Sequence, residues 1–324
     1  MMTLSSIHAS TPQFIPERIK TMDKYFIPKG PYAVLMTPFK YDGTIDWEAY
    51  EAEVEFLARS PITGLFPCAT TGEFVHMSPE ENMKLIEVCA RVNNGRKRIA
   101  AGACATNLDT VEMYARHAEK CGCDTIVVCV PYYITLPQLE VEEFFVRLSK
   151  RLEGINIMLY NIPMFTGEIA ISTYERLLQC ENIIGIKDSS QNLKRISHLI
   201  DIKDEIRPDF AVFCGTDDML LPSLVAGCTG SMTAMSAILP EVNAKIFELF
   251  ENGEIMEAQK LNKAYLPALR LCDSLTFPAG YKLAIEKRGL VMGNKQIVAN
   301  EGSFTYKGIN ERLAKEMKKL TRMV

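Results

Sequence analysis

Histidine is scarce in this 324-residue chain, with only four, and tryptophan occurs once. So few imidazoles argue against a catalytic metal centre built on histidine. His8, His117 and His198 fall in the N-terminal segment or in stretches of helical periodicity, and His76 alone follows a strand-like run. Among ten cysteines there is no Cys-x-x-Cys pair, and a structural zinc site needs paired ligands at such spacing. Cys68, Cys89, Cys104, Cys129, Cys214 and Cys228 lie in or beside apolar runs, where a free thiol behaves as a small hydrophobe. Cys121 and Cys123 bracket Gly122 in a predicted turn. Free cysteines in a reducing, cytoplasmic setting are therefore expected.

Long hydrophobic runs are lacking as well. No apolar stretch reaches the ~18 residues of a membrane span. Residues 1–25 mix Ser, Pro, Lys and Glu without the apolar core of a signal peptide, and read as an N-terminal extension. An excess of positive charge is also missing: the net charge of −4 offers no electrostatic footprint for nucleic acid or an anionic membrane. With 48% hydrophobic and 23% charged residues, the composition is that of a globular protein with a large core.

What is present is alternation. Eight short β-rich apolar runs recur: Tyr32–Phe39, Ile62–Ala69, Arg98–Cys104, Thr125–Tyr133, Ile155–Pro163, Ile183–Asp188, Phe210–Asp217 and Gly230–Met235. Helical periodicity fills the gaps. Trp47, Tyr50, Val54 and Leu57 share one face after Asp46 as N-cap, and Ser78-Pro79-Glu80-Glu81 reads as a helix start. Runs such as Thr125–Val130 are apolar on both faces, as buried parallel strands are. The pattern predicts an α/β fold, a TIM (β/α)8 barrel over residues 26–240 with a C-terminal helical extension over 241–324. Pro240, Pro267 and Pro278 are expected to punctuate that extension. The competing fold is an open doubly wound sheet, but its Gly-rich dinucleotide loop is missing where Met36-Thr-Pro-Phe39 follows the first strand.

Active sites of such barrels form at the C-terminal ends of the strands. Strand 2 delivers Thr70-Thr71-Gly72-Glu73, strand 4 Tyr132-Tyr133, strand 5 Tyr160-Asn161, strand 6 Lys187-Asp188-Ser189-Ser190, and strand 7 Gly215-Thr216-Asp217-Asp218. Lys187 shares a strand face with Ile183 and Gly185, which points it into the barrel, with Gly185 expected to make room for its stem. A lysine there loses solvation, and its neutral amine can attack a carbonyl. The competing role is a lysine that leaves the strand for solvent or pairs with Asp188. Thr70-Thr71-Gly72 has two readings also, an anion-binding turn or an ordinary connection. Tyr160 reads either as a proton shuttle or as a core tyrosine with a satisfied hydroxyl. Oxygen ligands for a metal are available in Asp188, Asp217 and Asp218, but no carboxylate ends strands 3, 4 or 5. Gly215, Gly227 and Gly230 leave a phosphate-binding barrel as a weaker competitor. No metal and no cofactor is called for.

Five segments then fall into a family pattern: Ala69-Thr-Thr-Gly-Glu73, Pro131-Tyr-Tyr133, Leu159-Tyr-Asn-Ile-Pro163 with Thr166-Gly167, Gly185-Ile-Lys-Asp188, and Gly215-Thr-Asp217. In this order the chain resembles the dihydrodipicolinate synthase / N-acetylneuraminate lyase family of Schiff-base aldolases and lyases, over roughly residues 30–290. The resemblance implies an imine between Lys187 and the 2-oxo group of pyruvate. It implies proton relay by Tyr160 with Thr70, and carboxylate binding by Thr70, Thr71 and Gly72. Tyr133 matches a tyrosine that reaches across a subunit interface in synthase members, so a homo-oligomer, a dimer or tetramer, is expected. Departures bear on the second substrate, which would be an aldehyde. Phe165 stands where the synthases carry an arginine, Ala234 where sialic-acid lyases carry a serine, and Ala69 where glycine is usual. Phe165 cannot bind a carboxylate bidentately as an arginine would. Thr166, Ser189, Ser190, Asp217 and Ser236, beside Gly215, are residues that could hydrogen-bond a polyhydroxy chain. The expected activity is cleavage or formation of a 2-oxo-3-deoxy sugar acid or related 4-hydroxy-2-oxo acid. The competing functions are 4-hydroxy-tetrahydrodipicolinate synthesis, a non-catalytic 2-oxo-acid-binding homologue, and a metal-dependent barrel enzyme.

Overall fold

Each of the eight apolar runs forms a strand in the computed structural model, which describes residues 27–293 and 304–324. The N-terminal extension expected over residues 1–25 lies outside the described residues. The order is β1 (Gly30–Val34), α1 (Trp47–Arg59), β2 (Gly64–Phe66), α2 (Pro79–Asn93), β3 (Arg98–Gly102), α3 (Leu108–Lys120), β4 (Thr125–Cys129), α4 (Gln138–Arg151), β5 (Ile157–Asn161), α5 (Ile171–Leu177), β6 (Ile183–Asp188), α6 (Leu193–Ile206), β7 (Ala211–Cys214), α7 (Leu220–Ala226) and β8 (Gly230–Thr233). All strand pairs are parallel. β1 closes on β8 through Gly30↔Gly230 to Ala33↔Thr233. Closure removes both sheet edges and excludes the doubly wound alternative.

Local chemistry starts the helices where the sequence signals them. Asp46 accepts a hydrogen bond from Ala49 N at 3.2 Å to cap α1. Ser78 and Glu81 make a complete capping box at the start of α2, with Pro79 at its first position. Most strands are shorter than the apolar runs that announced them. Thr125–Tyr133, for example, is paired only to Cys129. The runs overshoot because Val130 and Pro131 are buried in the rim without belonging to a ladder.

Inside the barrel, large rings sit opposite glycines. A Cβ at Gly64 would lie 2.2 Å from the Tyr32 ring, and one at Gly230 would lie 2.4 Å from Phe213. Tyr32 and Phe213 meet edge-on at 5.5 Å. This large-against-small packing fills the lower barrel beneath the C-terminal rim.

After β8 come α8 (Met235–Ile238), α9 (Pro240–Glu251), α10 (Ile255–Asp273), α11 (Ala279–Glu286) and α12 (Phe304–Leu320). Pro240 and Pro278 mark helix starts, as expected, but Pro267 lies inside α10. Its missing N–H costs about 3 kcal/mol in a helix interior. Burial of Tyr265, Ala268, Leu269 and Cys272 around it holds the helix regardless. These helices fold back over the barrel, and α10 and α11 reach its rim.

Candidate active site

The strand pairing that builds the site is that of β5 with β6. Tyr160 is the register partner of Lys187, and Asn161 that of Asp188. Alternation then separates two layers. Tyr160 and Lys187 face the barrel axis, whereas Asn161 Nδ2 donates to Asp188 Oδ2 at 2.8 Å on the other side. There Asp188 also accepts from Arg195 Nε at 2.8 Å. The carboxylate beside the lysine in sequence is therefore committed to Arg195, and Lys187 does not pair with it.

Lys187 is 3% exposed and makes no hydrogen bond or ion pair among the described residues. Its Nζ lies 4.2 Å from the Tyr160 ring centroid and 4.8 Å from that of Phe66. Burial lowers its pKa from the usual lysine value to about 7, against opposing fields from Cys104, Asp217 and Cys214. Room for the end of its side chain is made by Gly215, where a Cβ would fall 2.9 Å from Lys187 Cε. Gly185, expected to serve this purpose, instead accommodates Ala211 and the tip of Met158.

The hydroxyl of Tyr160 is 3.1 Å from Thr70 Oγ1. Burial raises the phenol's pKa, so the group is a protonated hydroxyl at neutral pH. Asp217 Oδ1 accepts from Tyr265 Oη at 2.6 Å and from Met235 N at 3.2 Å. Burial pushes its pKa up to about 6, while the hydrogen bonds from Tyr265, Thr233 and Met235 pull it down.

These groups share a cavity of about 220 Å³ at the C-terminal ends of the strands. Thr70, Thr71, Phe165, Ser189, Gly215 and Asp217 all line it with Lys187 and Tyr160. Five other expected residues are not in the lining. Gly72 lies behind the turn, its carbonyl accepting from Thr37 Oγ1 at 2.6 Å. The Thr166 hydroxyl is bound to the carbonyls of Ile162 and Gly167. The Ser190 hydroxyl is bound to Asp188, and that of Ser236 to Thr233. Tyr133 stands outside the cavity altogether, 98% exposed with φ of 75°.

The outer wall comes from residues to which no sequence signal pointed. Leu269 and Asp273 of α10, Phe277 between the helices, and Tyr281 of α11 line it opposite Met164 and Phe165. Phe165 and Phe277 lie 6.1 Å apart between centroids. Tyr281 Oη donates to Asp273 Oδ1 at 2.6 Å, and Arg270 pairs with Asp218 at the rim. Pro278 announced a helix start, but nothing in a helical stretch reports which distant strand end it will cover.

Among the described residues no group of three or more His, Cys, Asp or Glu side chains converges as a metal site. All ten cysteines are free. No helix of the described residues is long and apolar enough to cross a membrane.

Comparison with known proteins places this barrel among lyases and aldolases. Residues 28–298 match the Dihydrodipicolinate synthetase family, and the chain belongs to that family. It is 32% identical over 266 residues to a 4-hydroxy-tetrahydrodipicolinate synthase of Methanothrix thermoacetophila, covering 82% of this chain and 88% of that one. It is 33% identical over 230 residues to a probable 2-dehydro-3-deoxy-D-pentonate aldolase of Escherichia coli, covering 70% and 76%. The structure superimposes on dihydrodipicolinate synthase from Aquifex aeolicus with a TM-score of 0.82 at 27% identity, over 90% of this chain and 98% of that one. A prophage protein of the same family from E. coli, solved in complex with pyruvate, matches with a TM-score of 0.82 at 25% identity, over 90% and 98%.

Proposed function

We propose that the protein is a Schiff-base lyase or aldolase that holds pyruvate, or another 2-oxo acid, on Lys187 and makes or breaks a carbon–carbon bond to an aldehyde. The observation that carries this is a buried, unpaired lysine with a pKa near 7, set against Tyr160 and its Thr70 partner. The neutral amine adds to the ketone carbon, and with uptake of one proton from solvent water leaves, giving a protonated imine. Loss of a methyl proton forms an enamine, whose carbon attacks the aldehyde; hydrolysis then returns the amine. Thr70 and Thr71 hold the carboxylate at the turn. Tyr160, hydrogen-bonded to Thr70, passes protons to and from the reacting oxygen.

The lining favours an uncharged, hydroxylated aldehyde, as released from a 2-oxo-3-deoxy sugar acid or a 4-hydroxy-2-oxo acid. Lys187 is the only base among the described lining residues, whereas Asp217, Asp218 and Asp273 are acidic. Asp217 and Ser189 are placed to accept or share hydroxyl protons. Phe165 gives no fork for a carboxylate, which disfavours aspartate semialdehyde as the partner.

Tyr133, Ile134 and Leu139 form an exposed, largely apolar edge beside the site. We infer that it packs in a homo-oligomer, a dimer or tetramer, where Tyr133 serves a neighbour's cavity. Ten free cysteines fit a reducing, cytoplasmic setting.

The test is to treat the protein with pyruvate and borohydride and to map the adduct by mass spectrometry. A stable adduct on Lys187 is the expected result, and its absence overturns the reading. A panel of aldehydes supplied with pyruvate then identifies the second substrate, and preferred turnover of aspartate semialdehyde would favour the synthase instead.

A further inference from the structure

Beneath the carboxylate-binding turn lies a buried ion pair that the chemistry so far does not use. Lys282 of α11 and Glu73, at the end of the turn, are 6% and 3% exposed at their side chains, with Nζ 2.7 Å from Oε1. The same ammonium donates to Thr37 O at 2.6 Å. Thr37 Oγ1 in turn donates to Gly72 O at 2.6 Å. The contacts form a closed ring: Lys282 to Glu73, along the backbone to Gly72, across to Thr37, and back to Lys282. The turn it encloses is tightened by Glu73 N donating to Thr70 O at 2.9 Å. Glu73 itself holds a left-handed φ of 63°, unusual for a residue with a side chain.

We propose that Lys282 is a positioning residue for the substrate carboxylate, locking the Thr70–Glu73 turn in the geometry that receives a 2-oxo acid. The inference rests on the reading of the site given above. Two features favour it over a purely structural staple. A buried ion pair is roughly neutral in stability against a well-packed apolar pair, so stability alone does not account for a lysine here. Its reach is also specific: every contact in the ring falls on the turn or on Thr37, in the segment that follows β1. Tyr281, its neighbour in α11, lines the cavity. α11 thus touches the reaction space with one residue and the back of its carboxylate cradle with the next. Glu53 completes the surroundings, accepting from Met36 N at 3.0 Å. Phe39 lies under the ammonium at 4.4 Å.

The experiment compares borohydride trapping on Lys187 by pyruvate with trapping by acetone, a ketone that lacks the carboxylate, in the full chain. In Lys282→Met the half-saturating pyruvate concentration is expected to rise about tenfold or more, the effect of losing one charge-assisted contact. That for acetone is expected to change less than about twofold, because the amine is untouched. Thr37→Val removes the hydrogen bond to Gly72 O while leaving the ion pair in place, and is expected to move pyruvate in the same direction by a smaller factor. If Lys282→Met does not fold, Thr37→Val decides. Equal losses for both ketones, or an unchanged pyruvate dependence, overturn the inference. A wild-type chain that forms no pyruvate adduct on Lys187 overturns the reading of the site and this inference with it.

Discussion

Lys187 Nζ lies 4.2 Å from the centre of the Tyr160 ring, and the hydroxyl of that ring is 3.1 Å from Thr70 Oγ1. The aromatic face dries the amine, while the polar edge of the same side chain joins the turn where a carboxylate would sit. One residue therefore links Lys187 to the Thr70 turn, and its position follows from the pairing of Tyr160 with Lys187 across β5 and β6.

A pKa near 7 for Lys187 sets a pH dependence. Only the neutral amine attacks, so the rate of imine formation at subsaturating pyruvate is expected to rise about tenfold per pH unit below 7. It then levels off above about pH 8. Stopped-flow or quenched trapping across pH 5.5–9.5 measures this; a midpoint near 10 would show that the amine is not held neutral by burial.

The same burial makes the lysine a liability for stability. Its folded pKa is below the unfolded value near 10.4, so between about pH 7 and 10.4 the unfolded chain binds the extra proton. Stability contributed by this group therefore rises with pH through that window, and the penalty is fully developed below pH 7. Lys187→Met is expected to stabilise the fold at pH 7 by on the order of 3 kcal/mol, with the gain shrinking towards pH 10. Denaturant unfolding at pH 7 and pH 9.5 tests the sign. A gain independent of pH would remove the electrostatic explanation.

Tyr160→Phe keeps the ring against Lys187 and removes the hydroxyl. Trapping by pyruvate is expected to persist, whereas turnover falls by about 10²–10⁴-fold, the usual contribution of a positioned proton-transfer group. Comparable turnover in the variant would take Tyr160 out of the relay.

Phe165 is half-exposed and meets Phe277 at a tilt of 39°, so it tolerates exchange. Phe165→Arg adds a planar donor pair at the rim. It is expected to raise kcat/KM for aldehydes bearing a carboxylate by about tenfold relative to the wild type, with the melting temperature little changed. No gain would mean that the acidic wall of Asp217, Asp218 and Asp273 controls entry more strongly than residue 165.

The barrel was legible in the sequence because buried parallel strands are apolar on both faces and their flanking helices carry caps such as Asp46 and Ser78. Lys187, Tyr160, Thr70 and Asp217 were legible because strand ends converge in this architecture. Tyr265 and Lys282 were not. Each is a polar residue on a largely buried helical face, and its meaning depends on a partner far away in sequence: 48 residues for Tyr265 and Asp217, 245 for Lys282 and Thr37. Periodicity reports that a face is buried and is silent about what it is buried against. Thr166 shows what spacing leaves out in the other direction, since its hydroxyl donates to local carbonyls, a competition that short polar side chains commonly enter.

The outer wall built by α10 and α11 has an evolutionary corollary. Lys187, Tyr160 and Thr70 are encoded before residue 190, whereas Leu269, Asp273, Phe277 and Tyr281 are encoded some eighty residues or more downstream. Most of the outer wall is thus written apart from Lys187, with Phe165 as its contribution from the earlier stretch. Changes at Leu269, Asp273, Phe277 or Tyr281 can therefore reshape the mouth of the cavity while Lys187, Tyr160 and Thr70 keep their places.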